Sequence, residues 1–293
     1  MTFFPKDRGT GSELRALLEA PQVVRAPGCY DALSARVLEE AGFGAVFLGG
    51  FSVAAARLAL PDAGLMSYAE MIDQARNVCA SVSVPVLGDG DTGYGNPVNA
   101  SRTVIGSAQA GLASIMIEDQ VWPKRCGHTA GKEVVDRREA LARVRASVRV
   151  REEQRLDILV MARTDAVATD GFEEALWRAQ AFADAGADIT FLEAPTDLQQ
   201  MRRYCKEVPG FKTANLVEDG KTPWLSPDEL GEIGYSLAIY PVSLLLHSIK
   251  ALRDAAAGLS AGGKAEAGRV HFEEARTLVR WSEYDSELDR DAD

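Results

Sequence analysis

Long apolar runs are missing from this chain. No stretch approaches the ~20 uninterrupted apolar residues that a membrane-spanning helix needs. The opening residues, Met1-Thr-Phe-Phe-Pro-Lys-Asp7, hold no basic segment followed by an apolar core, so they do not read as a secretory signal and the expected location is the cytoplasm. Positive charge is in deficit. With 32 Lys and Arg against 43 Asp and Glu, the formal net charge is −11, which argues against nonspecific binding to nucleic acid or anionic lipid. An anionic small molecule stays open as a substrate, because charge inside a site outweighs the total. Cysteine is sparse: Cys29, Cys79, Cys126 and Cys205 lack the paired spacing of a zinc site and fit free thiols in a reducing compartment. The three histidines are not clustered either.

What is present is an ordinary globular balance, 46% hydrophobic and 26% charged over 293 residues. Length alone could mean two domains, but α/β barrels commonly run to roughly 250 residues as one. Short apolar runs rich in β-branched residues fall at Val23–Ala26, Ala45–Leu48, Val84–Gly88, Ser114–Ile117, Ile158–Ala162, Ile189–Leu192, Thr213–Leu216 and Leu237–Tyr240. Amphipathic stretches separate them: Tyr30–Ala41, Tyr68–Ala80, Pro97–Ala110, Arg137–Glu152, Phe172–Ala185 and Leu198–Glu207. Near-continuous apolar strands imply burial on both faces, as in a parallel sheet. Eight of them alternating with helices fit a closed (β/α)8 barrel better than an open sheet. Gly42 and Gly186 each stand where a helix would end before the next strand. The expected division is a barrel over 1–260 and a helical extension over 261–293.

The polar residues collect at strand ends. Asp89 and Asp91 close the third strand, Glu118 and Asp119 the fourth, Arg163 and Asp165 the fifth, Glu193 the sixth, Asn215 the seventh and Tyr240-Pro241 the eighth. In a barrel these ends converge on one face, where its active sites sit. Asp89, Asp91 and Glu118 would share a pocket, and unpaired carboxylates that close repel one another. A hard divalent cation resolves that repulsion, and an oxygen-only set suits magnesium or manganese rather than zinc. Asp62 could add a further carboxylate. The competing reading is that Asp89 and Asp91 only cap a helix and a glycine turn.

A second group, Trp122-Pro-Lys124-Arg125-Cys126-Gly-His128, continues into Thr129-Ala-Gly-Lys132 on a long loop. A thiol flanked by two cations and a histidine is placed for acid–base or nucleophilic work. The glycines would let the loop move as a lid. Its competing reading is a surface loop with an inert cysteine. The glycines of Ala41–Ala45 and of Leu48-Gly49-Gly50 lack the order of a dinucleotide fingerprint. Strand-end glycines that admit a carboxylate to backbone N–H groups are the better account of Gly49 and Gly50.

These segments together resemble the isocitrate lyase/phosphoenolpyruvate mutase superfamily over nearly the whole chain. The resemblance rests on Tyr30-Asp-Ala-Leu-Ser-Ala35, Leu60-Pro-Asp-Ala-Gly64, Gly88-Asp-Gly-Asp-Thr-Gly-Tyr-Gly95, Ile117-Glu-Asp-Gln120, Pro123-Lys-Arg-Cys-Gly-His128, Ala162-Arg-Thr-Asp165, Leu192-Glu-Ala194 and Tyr240-Pro241. It is nearest to the short branch of methylisocitrate lyase, dimethylmalate lyase, petal death protein and carboxyphosphonoenolpyruvate mutase. The resemblance implies magnesium bound directly by Asp89, with Asp62, Asp91 and Glu118 holding its waters. It implies Arg163 on the substrate carboxylate, with Glu193, Asn215, Gly49, Gly50 and Pro241 completing the pocket. Lys124, Cys126 and His128 fall on the gating loop, where the cysteine of the family's lyases acts as general acid. It also implies a homotetramer with its last helix swapped between subunits.

Two departures narrow the substrate. Phe47-Leu-Gly-Gly-Phe-Ser52 lacks the hydroxyl that the family carries at the second strand, leaving backbone N–H groups or Ser52 to replace it. Leucines stand at Leu244–Leu246, where the methylisocitrate enzyme has an arginine for an extra carboxylate. An unpaired buried charge costs several kcal/mol, so a tricarboxylate fits poorly. The expected activity is cleavage of a 2-alkylmalate-type 2-hydroxy dicarboxylate to a 2-oxo acid and a smaller carboxylate. A phosphonomutase, an oxaloacetate decarboxylase or hydrolase, and a non-catalytic oxo-acid binder are the alternatives.

Overall fold

The computed structural model describes residues 9–127, 129, 131–264 and 268–290. Among them, eight strands pair in parallel and in sequence order: β1 (Val24–Cys29), β2 (Val46–Leu48), β3 (Val86–Asp89), β4 (Ser114–Glu118), β5 (Leu159–Thr164), β6 (Ile189–Leu192), β7 (Phe211–Asn215) and β8 (Leu237–Tyr240). The last pairs with the first, from Val24↔Leu237 to Pro27↔Tyr240, and closes the barrel. Strand residues alternate between the barrel interior and the helix layer, and both environments are apolar, which is why the runs lack a polar face. Ala26, Phe47, Leu87, Met116, Met161, Phe191 and Ile239 are buried together in the interior.

Leu14 and Leu18 join that interior cluster from helix α1 (Gly11–Glu19). A Thr10/Glu13 capping box starts α1, and the Gly11 N–H donates to the Asp157 carbonyl just ahead of β5. The helix therefore packs against the mouth at the strand N-termini, and a cavity lies at the opposite, C-terminal mouth.

The outer layer follows from local sequence signals. Helices α2 (Ala32–Glu40), α4 (Tyr68–Cys79), α5 (Pro97–Ala110), α6 (Arg137–Glu153) and α8 (Leu198–Glu207) begin behind Asp31, Ser67, Asn96, Asp136 and Asp197, whose side chains accept from first-turn N–H groups. Helix α7 (Phe172–Asp184) has no such cap. Gly42 (φ 85°) and Gly186 (φ 93°) turn the chain after α2 and α7 into the next strand, as their spacing predicts.

The differences from the sequence reading are local. β1 runs on to Cys29 and β5 to Thr164, while β3 begins two residues later than expected, at Val86. Helix α3 (Gly50–Leu58) follows β2 at once, where no helix was expected. Its Gly-Gly start hides it, since glycine is a poor helix former. α9 (Pro227–Ile233) and α10 (Ser243–Ser260) complete the ring, and α11 (Phe272–Leu278) and α12 (Trp281–Arg290) follow it. We propose that the chain divides at 260: α10 ends there, and neither α11 nor α12 has a buried residue.

Candidate active site

The strand ends meet at the open mouth. Asp89 is the last residue of β3, and it pairs in register with Met116 of β4, two residues before Glu118. Glu118 in turn lies beside Arg163 of β5. Gly49 caps α3, and the Gly50 N–H donates to Asp89 Oδ2 at 3.0 Å. A Cβ on Gly50 would stand 2.8 Å from that oxygen, so the close approach depends on glycine. The Asp91 N–H donates to Asp89 Oδ1 at 3.0 Å. Asp89 is thus held by two backbone donors.

Lys124 reaches into this group from the loop after β4. Its ammonium lies 2.5 Å from Asp62 Oδ1 and 2.7 Å from Asp91 Oδ1, with 3% of its side chain exposed. Burial disfavours a charged lysine here, but Asp91, Asp89, Asp62 and Glu118 together hold it charged. The carboxylates remain in excess. Burial raises Asp91 to about 6 in spite of Lys124, with Asp89 and Asp62 adding to the rise. Burial likewise lifts Glu118 well above the carboxylate range against the pull of Arg163.

Part of the expected metal set faces the cavity. Asp89 and Asp62 line the cavity, whereas Asp91 and Glu118 are not among its lining residues. Among the described residues, no three histidine, cysteine or carboxylate side chains are arranged to hold a metal ion. The Lys124 ammonium, in contact with both Asp62 and Asp91, offsets part of their charge. The donor set nevertheless suits a hard cation. It is all oxygen, it outnumbers its cations, and Glu118 Oε1 is buried without a hydrogen-bond partner.

Arg163 is locked in place. Its Nε and Nη2 donate to Asp165 at 2.8 and 3.0 Å, its guanidinium lies 5.2 Å from the Phe191 ring centre, and Glu193 and Glu118 stand 3.6 Å away. Asn215 donates to Glu193 at 3.1 Å. Burial pushes Asp165 up, yet Arg163 and Lys132 outweigh it and hold the carboxyl at about 2. Asp165 and Asp119 therefore face away from the cavity as supports: Asp119 accepts from the Asp165 N–H and pairs with Arg178 at 3.0 Å.

The loop carrying Cys126 is seated on this platform. Gln120 and Arg125 exchange two hydrogen bonds, and Thr129 donates twice to the Cys126 carbonyl. A Cβ on Gly127 would lie 2.4 Å from Arg163 Nη2 and 2.7 Å from Glu193 Cδ. Beneath the loop is a cavity of about 290 Å3, lined by Gly49, Gly50, Asp62, Asp89, Lys124, Cys126, Arg163, Asn215 and Pro241 from the expected set. Glu193 supports the cavity without lining it, and His128 lies outside the described residues. Ser52 does line the cavity, but its hydroxyl donates to the Pro241 carbonyl at 2.8 Å and ties α3 to β8.

The lining also includes Val217, Glu218 and Val242 after β7 and β8, which sequence reasoning missed. Glu218 is fixed by a hydrogen bond from the Ser243 hydroxyl. Its position three residues beyond Asn215, past a strand end, was the available signal. Phe51 and Leu246 complete an apolar wall there.

The comparisons with known proteins identify the family. The family described as phosphoenolpyruvate phosphomutase matches residues 14–260. The chain belongs to that family. It is similar to 2,3-dimethylmalate lyase of Eubacterium barkeri, 42% identical over 245 residues that cover 84% of each chain. It is 45% identical over 235 residues, 79% of this chain and 75% of the other, to a protein of Corynebacterium glutamicum named as a probable 2-methylisocitrate lyase. Among solved structures, oxaloacetate acetylhydrolase with 3,3-difluorooxalacetate superposes with a TM-score of 0.92 at 32% identity, covering 98% of both chains. Phosphonopyruvate hydrolase with oxalate and magnesium gives 0.82 at 27% identity, covering 99% of this chain and 98% of that one. The chain is accordingly an enzyme of the PEP mutase/isocitrate lyase superfamily, whose named relatives are lyases, mutases and hydrolases.

Proposed function

We propose that this family member is a magnesium-dependent carbon–carbon lyase acting on a 2-alkylmalate-type dicarboxylate. The observation that carries the reading is that Cys126 and Arg163 line one cavity whose β7–β8 side has apolar residues and no cation. Strand order places β7 and β8 across the barrel from β3 and β4. One end of the cavity therefore carries the charged anchors, and the other presents Val217, Val242 and Leu246, with Glu218 as its charged residue.

In this reading Arg163 binds the carboxylate next to the reacting carbon, and the N–H-bearing turn at Gly49 and Gly50 holds Asp89 in place. Asp89 would hold magnesium, or manganese in its stead, with Asp62, Asp91 and Glu118 around its waters. When bound, the ion supplies Lewis-acid stabilisation of negative charge on the C2 oxygen. The 2-hydroxyl gives its proton to the carboxylate set, the C2–C3 bond breaks, and C2 becomes the ketone of the oxo acid. The electron pair of that bond stays on C3, and the Cys126 thiol delivers a proton there to complete the smaller carboxylate. Glu193 and Asn215 keep Arg163 aimed during the step. A third carboxylate would meet no cation at the β7–β8 end and would face Glu218.

A coupled assay for oxo-acid release, with magnesium and after chelation, tests the proposal across 2-methylmalate, 2,3-dimethylmalate, methylisocitrate and oxaloacetate. We expect metal-dependent turnover of an alkylmalate and its loss in Cys126→Ser with magnesium binding intact. Full activity of Cys126→Ser would remove the acid role. A second reading, cleavage of oxaloacetate, is favoured by the TM-score of 0.92 to oxaloacetate acetylhydrolase, and the oxaloacetate arm decides it. Phosphonate chemistry is the next reading if the whole panel is silent. We also propose a homo-oligomer, supported by the exposed Trp281, Tyr284 and Leu288 of α12.

A further inference from the structure

Lys132 takes no part in the chemistry above. It closes the segment Thr129-Ala-Gly-Lys, yet its side chain is only 2% exposed. Burying an ammonium is costly unless every direction is matched by an acceptor. Two acceptors meet it. One is the Gly127 carbonyl at 2.5 Å, the residue immediately after Cys126. The other is Asp165 Oδ1 at 2.7 Å, the oxygen that also accepts from Arg163 Nη2 at 3.0 Å. Gly131, at φ 77°, supplies the left-handed turn that brings Lys132 back under the loop.

We infer that Lys132 is a positioning residue that latches the Cys126 loop to the Arg163 platform, so that thiol and substrate carboxylate are aligned through one shared carboxylate, Asp165. A surface loop would hold its lysine in water. Here a single ammonium joins the backbone beside the thiol to the side chain that orients the guanidinium. Lifting the loop would leave Asp165 with Arg163 alone and strip the Gly127 carbonyl of its donor, so seating and alignment form a single event. The catalytic part of this inference rests on the lyase reading; the mechanical part does not.

The experiment compares wild type with Lys132→Met, which keeps the length of the side chain and removes the charge. Alkylation of Cys126 by iodoacetamide is followed by peptide mass spectrometry, with and without oxalate and magnesium. Oxalate with magnesium should slow alkylation by about tenfold or more in wild type, and the variant should lose most of that protection. Its kcat should fall by about tenfold or more with KM little changed, because the seated geometry rather than binding is lost. Retained protection together with near-wild-type kcat would overturn the inference. If Lys132→Met does not fold, the wild type still decides. Reductive methylation of Lys132 should be suppressed by oxalate and magnesium in parallel with Cys126 alkylation, and Lys132 labelling that ignores a ligand protecting Cys126 overturns the latch. Failure of the lyase reading is separable, since it shows as no oxo acid from any substrate while thiol protection still reports on Lys132.

Discussion

Gly127→Ala is the sharpest single test of the seated loop. The added Cβ would stand 2.4 Å from Arg163 Nη2 and 2.7 Å from Glu193 Cδ, whereas ordinary van der Waals contact begins at 3.4 Å. Such a clash would be cheap if the neighbour were a loose side-chain tip. Neither neighbour is loose. Arg163 is clamped by two hydrogen bonds to Asp165 and stacked towards Phe191, and Glu193 is backed by Asn215. The loop must therefore rise by about 1 Å, carrying Cys126 with it. A misplacement of that size costs on the order of 100-fold in rate, or ~2.7 kcal/mol of barrier. Lifting the loop also draws the Gly127 carbonyl away from the buried Lys132, so the fold should lose about 1–3 kcal/mol. The check is kcat in the oxo-acid assay beside the thermal midpoint. A kcat within about threefold of wild type would refute the reasoning, because the loop would then not need to be seated for chemistry.

The two remaining predictions concern charge. Asp165 is held at about 2, below its usual 3.8, so the folded state binds fewer protons there than the unfolded chain does. Its contribution is complete above its unfolded pKa and is lost as pH falls through about 2, a change of roughly 2 kcal/mol. Asp165→Asn should be less stable than wild type at pH 5, and the gap measured by denaturant titration should shrink by about that amount towards pH 2; a pH-independent gap would contradict the assignment. Leu246 lines the cavity but is 44% exposed, so an arginine can be accommodated there. Leu246→Arg should lower kcat/KM for the alkylmalate about tenfold and raise it for methylisocitrate; unchanged selectivity would show that this wall does not choose the substrate.

Much of the fold is legible in the sequence because local rules and tertiary demands coincide. The strands lie within two or three residues of their apolar runs, and α5 and α8 have the predicted ends, since Asn96-Pro97 and Asp197 are strong caps. Helix α3 escaped because its start, Gly49-Gly50, serves the approach to Asp89 rather than helix propensity. At the site, strand-end position pointed to Asp89, Arg163 and Asn215, and the loops after the second and fourth strands, with the family resemblance, pointed to Asp62, Lys124 and Cys126; all six line one cavity.

What the sequence determined by itself was the barrel, the face that carries polar residues, and the family; each depends on patterns of neighbours along the chain. Only the tertiary structure decided which charge meets which. Lys124 and Lys132 are both lysines of one loop, yet the first enters the carboxylate group and the second turns under to Asp165. Glu218 and Val242, well separated in sequence, stand on one wall. Such pairings depend on distances of a few ångströms between strands far apart in the chain, and spacing along the chain does not encode them.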